Sequence, residues 1–281
     1  MCSSDLTGNT SATCVSNFYV SNLHGCSPIT VHDQFQHNGS TASGLLSVAF
    51  GGGNTASGDY SHAEGRNTQT TGSWSHAEGN LTISLDKYAH AEGAGTTAAG
   101  LGSHAEGNST YASGAYSHAE GGSTIASGGG SHAEGTGTKA VGTGAHSEGF
   151  DTTATGNYSH AEGYQTLANS SYTHAEGQQT LASGIGSHAE GFLTTASGDY
   201  SHAAGWYTRA IGDYSYAGGT HTIASGSGQT VVGAYNTQGD TDSLFVVGNG
   251  TSDSNRSNAF QVLSQGFNSG SIVGFTTGYS T

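Results

Sequence analysis

Ser61-His62-Ala63-Glu64-Gly65 returns, nearly unchanged, every 14 residues as far as Ser201-His202-Ala203-Ala204-Gly205. The histidines of this phrase stand at His62, His76, His90, His104, His118, His132, His146, His160, His174, His188 and His202, without an insertion or deletion between neighbours. Its glutamates stand at Glu64, Glu78, Glu92, Glu106, Glu120, Glu134, Glu148, Glu162, Glu176 and Glu190, and Ala204 takes the next place. A period this short and strict means one turn of a solenoid per repeat, not a string of domains. Side chains alternate between the faces of a strand, so Ser61, Ala63 and Gly65 share one face and His62 and Glu64 the other.

The second half of each period reads Thr-x-Ala-Ser-Gly, as at Thr110–Gly114, Thr124–Gly128, Thr180–Gly184, Thr194–Gly198 and Thr222–Gly226. Each period is therefore expected to form two five-residue strands joined by two short turns, with glycine easing the corners. A coil of this length is a thin loop whose strands lie back to back. Only small side chains fit between them, so the Ser/Ala face and the Ala126-type column should line the interior, and His and Glu should point away from it. The expected fold class is all-β, a parallel β-roll or β-solenoid over residues 45–235. It follows an N-terminal adaptor or cap at 1–44 and precedes a C-terminal β segment at 236–281. In the first of these flanks, residues 17–23 and 28–32 read as short strands, and in the second, residues 244–252 and 257–262 do.

Composition supports the repeat and excludes several classes. With 48 glycines, one proline and 9% charged residues in a chain of 281, there are too few large apolar side chains for one thick core. Collagen is excluded because glycine does not fall on every third residue, and disorder because the register is too strict. The formal charge is −15, with only five Lys and Arg. That leaves no basic patch for a nucleic acid. No apolar run is long enough to insert in a membrane as a helix. The opening Met1-Cys2-Ser3-Ser4-Asp5 lacks a basic n-region and an apolar h-region, so no secretory signal is expected there. Cys2, Cys14 and Cys26 read as reduced or small buried residues, ahead of an interchain bridge or a metal clip.

The columns raise the question of a site. Val48 and Phe50 replace His and Glu at one end of the array, and Thr230 and Val232 do so at the other. Apolar residues in those positions point to a covered surface, most simply an interface between chains. Stacked glutamates would repel by ~1 kcal/mol per neighbour in water, and adjacent imidazoles can relieve that by hydrogen bonding. A His and a Glu two apart on one face could share an ion across chains. Eleven equivalent positions nevertheless read as a structural polar ladder, so no catalytic, metal or cofactor site is assigned and no enzyme activity is expected. Opposite charges meeting in the ladder would lower the Glu and raise the His pKa values, whereas dominant desolvation would lower the His values.

Three further columns run alongside. Thr68, Thr82, Thr96, Thr110, Thr124, Thr138, Thr152, Thr166, Thr180, Thr194, Thr208 and Thr222 read as a hydrogen-bonding rank at a strand edge, with an ice-binding face as the alternative. Tyr60, Trp74, Tyr88, Tyr116, Tyr158, Tyr172, Tyr200 and Tyr214, interrupted by Gly102, Gly130, Gly144 and Gly186, read as packing at a corner or between subunits. Phe150, Tyr164, Phe192 and Trp206 form a shorter column and are the candidate contact for a receptor or glycan.

Ser47-Val48-Ala49-Phe50-Gly51, followed by Ser-x-Ala-x-Gly at 14-residue spacing, resembles the head domain of trimeric autotransporter adhesins. The His-Ala-Glu-Gly version is similar to repeats of bacteriophage tail fibres and tail spikes. The resemblance covers about residues 45–235. It implies a left-handed β-roll in a homotrimer, acting as a structural or adhesive module of a fibre on a virion and displaying surfaces for a host receptor. A bacterial cell-surface adhesin head is the alternative. The stretch after Gly233 is similar to the segment that follows the repeats in phage tail proteins, often ahead of a self-cleaving chaperone. A fragment of a self-cleaving spike is thus the enzymatic rival, although the sequence to Thr281 shows no pattern of such a chaperone or of a membrane-anchor barrel.

Overall fold

A computed structural model describes the backbone of Phe35–Gln36 and all of residues 39–264. The strands expected at 17–23 and 28–32, and the three cysteines, lie outside these described residues. Among them there is no helix. The chain winds as a parallel β-solenoid in which each 14-residue coil contributes one strand to each of two sheets. His62–Arg66, His76–Asn80 and their successors stack in the first sheet, while Gln69–Thr70, Ile83–Ser84 and their successors form a second sheet of 14 strands. Register is strict, with His104 opposite His118 and Glu106 opposite Glu120. The coils add about 4.8 Å each along the axis.

The two strands differ in length, contrary to the expectation of two five-residue strands. The first runs from the histidine to one residue past the glycine, and the second has only two residues. The reason lies at the corners. Asn67 (φ 54°) and Tyr60 (φ 58°) are in the left-handed region, as are their equivalents coil after coil. There the chain reverses the direction of its donors. His62 N–H donates to Ser75 O in the next coil at 3.0 Å, whereas Asn67 N–H donates back to Gly52 O at 2.9 Å and Tyr60 N–H back to Leu45 O at 2.7 Å. Both corners are therefore hydrogen-bonded coil to coil through these left-handed residues.

The interior contains almost nothing larger than threonine. Ala63, Ala77, Ala105, Ala126 and their equivalents are fully buried, together with the serines that begin each repeat. A serine here closes its own corner: Ser117 Oγ donates to Gly114 O at 2.7 Å and Ser131 Oγ to Gly128 O at 2.7 Å. The threonine column corrects the sequence reading. Thr68 through Thr222 point inward and are buried, so they form no edge rank and offer no flat face to ice. Gly65 also departs from simple alternation. It is exposed with φ 106°, and the strand continues beyond it in a turned-out direction.

Larger polar residues appear inside where the stack ends. Asn54 stands one coil before Thr68, donates to Phe50 O (2.7 Å) and Gly65 O (3.1 Å), and accepts from Thr68 N–H (2.9 Å). Asn236 stands one coil after Thr222 and bonds both backbone groups of Ile223. Gln229 ends the serine column, accepting from Ser225 and Gly226 N–H and donating to Asp240 O. Each satisfies backbone groups that a further regular coil would otherwise have met.

The coil geometry extends N-terminal of the Ser47 motif. Phe35–Gln36 pairs in parallel with Val48–Ala49, and Thr41–Ala42 with Thr55–Ala56. At the other end Ser243–Asn249 adds a last parallel rung on Thr230–Ala234, and Asn258–Leu263 folds back on it antiparallel. Arg256 pins this return, donating to His221 O (2.8 Å) and Asn236 O (3.2 Å) and lying over the Tyr235 ring.

Candidate functional site: an outward ladder of histidine and glutamate

The outward face of the first sheet carries the histidine and glutamate columns at positions i and i+2 of each strand, and the Phe150-type column follows at i+4. In-register parallel pairing places each ring over the next. His62 to His202 form an unbroken stack with centroids 4.6–5.0 Å apart. It ends where Tyr216 takes the column and meets His202 edge-on. The glutamates run parallel to it. His104 Nε2 lies 3.7 Å from Glu92 Oε1 and 3.9 Å from Glu106 Oε2, so this imidazole faces its own carboxylate and that of the preceding coil, as do His118 and His174. Only His202 reaches hydrogen-bonding distance, 3.2 Å from Glu190. The Nε2 atoms of the nine histidines from His76 to His188 are shielded from solvent and carry no hydrogen bond.

Beside the ladder, the glutamate and glycine columns line a shallow groove in two stretches of about 860 and 730 Å³. The first runs from Phe50 to Gly135 and the second from Glu134 to Gly205. The glycine floor comes from the same residues that close the corner of the strand.

Carboxylates one coil apart cannot all ionise cheaply, so from Glu78 to Glu176 their pKa values are pushed alternately up and down. Glu78, Glu106, Glu134 and Glu162 are each pushed up to about 7, chiefly by a hydrogen bond with an adjacent glutamate. Glu92, Glu120, Glu148 and Glu176 are held below the usual range, chiefly by accepting those bonds. His76, His104, His118, His146, His160 and His188 are lowered, first by burial and then by neighbouring imidazoles. Of the two outcomes weighed for the ladder, the histidine directions in the single chain follow desolvation, while the glutamates divide between raised and lowered values. Desolvation outweighs the attraction of carboxylates that stand beyond 3.5 Å.

These directions fix a pH profile for the metal-free chain. The raised glutamates contribute stability below their unfolded value of 4.5, and lose it as pH climbs through about 7. The lowered glutamates contribute above 4.5 and lose it as pH falls through their folded values. The lowered histidines contribute above 6.5 and lose it as pH falls through their folded values. Thermal unfolding in the presence of a chelator should therefore peak between about pH 5 and 6.5 and decline as pH rises through 7. A midpoint that rises steadily from pH 5 to 8.5 contradicts the alternating shifts.

The other aromatic columns separate clearly. Phe150 and Tyr164 stack at 5.3 Å, Gln178 interrupts them, and Phe192 meets Trp206 edge-on at 6.3 Å. The first of these pairs and Trp206 are exposed and Phe192 is half-buried. The Tyr60 column lies at a corner, with Tyr60–Trp74, Trp74–Tyr88, Tyr158–Tyr172 and Tyr200–Tyr214 stacked at 5.4–5.6 Å. Every residue of that column has φ between 56° and 63°. This explains its composition: glycine takes the left-handed conformation without penalty, and an aromatic ring offsets the cost by stacking on its neighbour. The groove and the internal Asn54, Asn236 and Gln229 were not anticipated. The signal for the last three is a single larger polar residue in a column of small ones.

No protein-family model matches the chain, and no curated protein matches it.

Proposed function

We propose that this chain is the shaft or head module of a homotrimeric fibre, of the phage tail-fibre or tail-spike type, which holds receptor-contacting surfaces in a rigid array and performs no chemistry of its own. A bacterial surface adhesin head uses the same architecture and is the second reading. The observation that carries the proposal is the ladder face. It presents a continuous open groove, desolvated Nε2 atoms without hydrogen bonds and the half-exposed Phe50. A second and third copy would cover all three. The resemblance of the Ser47–Gly51 and His-Ala-Glu-Gly motifs supports the number three and a left-handed coil.

On this reading Phe150, Tyr164, Phe192 and Trp206 sit beyond the ladder at the lip of the interface, where ring faces can meet a glycan or a receptor side chain. Native mass spectrometry should give three times the 28.1 kDa chain mass. The variant with serine at all four aromatic positions should retain that mass and the parent melting temperature while losing binding to an immobilised glycan array. A folded monomer refutes the trimeric fibre, and unchanged binding by the serine variant refutes the contact role.

A further inference from the structure

We propose that the histidine–glutamate ladder is a linear chelator of late first-row divalent cations, filled at one cation for every two histidines. His104, Glu106 and His118 bring one ligand atom each within 4.8 Å of one another, and His118, Glu120 and His132 repeat the arrangement one coil on. The donor set is two imidazole nitrogens and a carboxylate oxygen. That set suits zinc, nickel or cobalt, whereas calcium and magnesium favour all-oxygen shells. The atoms converge from rigid elements, since both histidines and the glutamate belong to strands held in register by the sheet.

Two observations point beyond mere proximity. The Nε2 atoms are shielded from solvent and make no hydrogen bond, so a ring nitrogen faces the cluster without a partner and, in the Nδ1-protonated tautomer, offers it a lone pair. The facing carboxylate oxygens stand 3.7–3.9 Å away from His104 and His118. This is too long for a hydrogen bond, but close to the separation of two ligands on one cation. A cation equidistant from three atoms at the outer separation of 4.8 Å would sit about 2.8 Å from each, and an inward shift of each side chain by somewhat under 1 Å reaches the 2.0–2.1 Å that zinc prefers.

The occupancy follows from sharing. A neutral imidazole offers one lone-pair nitrogen, and His118 Nε2 belongs to two adjacent clusters. Filling one cluster disables both of its neighbours. Eleven histidines in a row therefore hold about five cations per chain. The number is counted per chain, so it is independent of whether the chain stands alone or in a fibre.

The full chain, stripped with a chelator and returned to neutral buffer, is titrated with zinc chloride by calorimetry, and the bound metal is counted after gel filtration. The expected result is about five zinc ions per chain, a raised melting temperature, and no saturable binding of calcium. Two substitutions on the half-exposed face then test the sharing. His132→Asn leaves five histidines on each side, so saturation should fall by one zinc, whereas His118→Asn leaves runs of four and six and should leave it unchanged. Melting curves without metal verify that both variants fold, and if either does not, the count on the unaltered chain still decides. No zinc, one zinc per histidine, or equal loss in the two variants overturns the proposal.

Discussion

Gly121→Ala should unfold at a much lower denaturant concentration than Gly130→Ala, although both replace a glycine with φ above zero. At Gly121, φ is 102° and a methyl group would stand 2.2 Å from the carbonyl oxygen of Gly135 in the next coil. That oxygen cannot retreat, because main-chain bonds hold the coil on both sides. The expected loss is on the order of 4 kcal/mol, combining the backbone strain with the overlap. At Gly130, φ is 63° and nothing lies within 4 Å of the added carbon. The corner there accepts tyrosine in other coils, so alanine should cost about 1 kcal/mol. Denaturation followed by circular dichroism separates the two. Equal shifts would mean that the glycine column is chosen for flexibility and not for the approach of one coil to the next.

Removing residues 118–131 should leave a folded, shorter solenoid, whereas removing residues 118–130 should destroy everything on one side of the cut. The first deletion brings Ser117 to His132 and restores the column order. The second places Ser131 in the histidine column, Glu134 in the glycine column, where any side chain meets a carbonyl oxygen of the next coil, and His132 in the space that Ala119 and similar residues fill. That space admits nothing larger than threonine. Burying an imidazole there costs several kcal/mol, the glutamate adds overlap and backbone strain in the glycine column, and the error repeats in every later coil. Limited proteolysis should show one protected core for the first deletion and a truncated or absent core for the second. Equal protection would show that the coils slip past one another freely.

The fold was legible because one fact, the 14-residue spacing, fixes both the coil and its register. Alternation then placed Ser61, Ala63, His62 and Glu64 on their correct faces. It failed at Gly65, where the positive φ breaks the period of two, and for Thr68, which follows that break and turns inward. The Tyr60 column held its own clue in the exchange of glycine for aromatics. That exchange marks a left-handed corner more surely than it marks a packing surface. The charge state of the ladder was not legible. It depends on carboxylate-to-carboxylate contact along the axis, a distance set by stacking and invisible in any single repeat.

The antiparallel return of Asn258–Leu263 has a consequence for assembly along the axis. Every parallel rung is a template for another, so a solenoid that simply stopped would offer its last strand to the first strand of the next molecule and grow into a filament. By folding back, the chain spends that template on itself and exposes an edge of the opposite polarity. Within the described residues, the first sheet therefore ends on a strand whose pattern of donors and acceptors does not match that of another parallel rung.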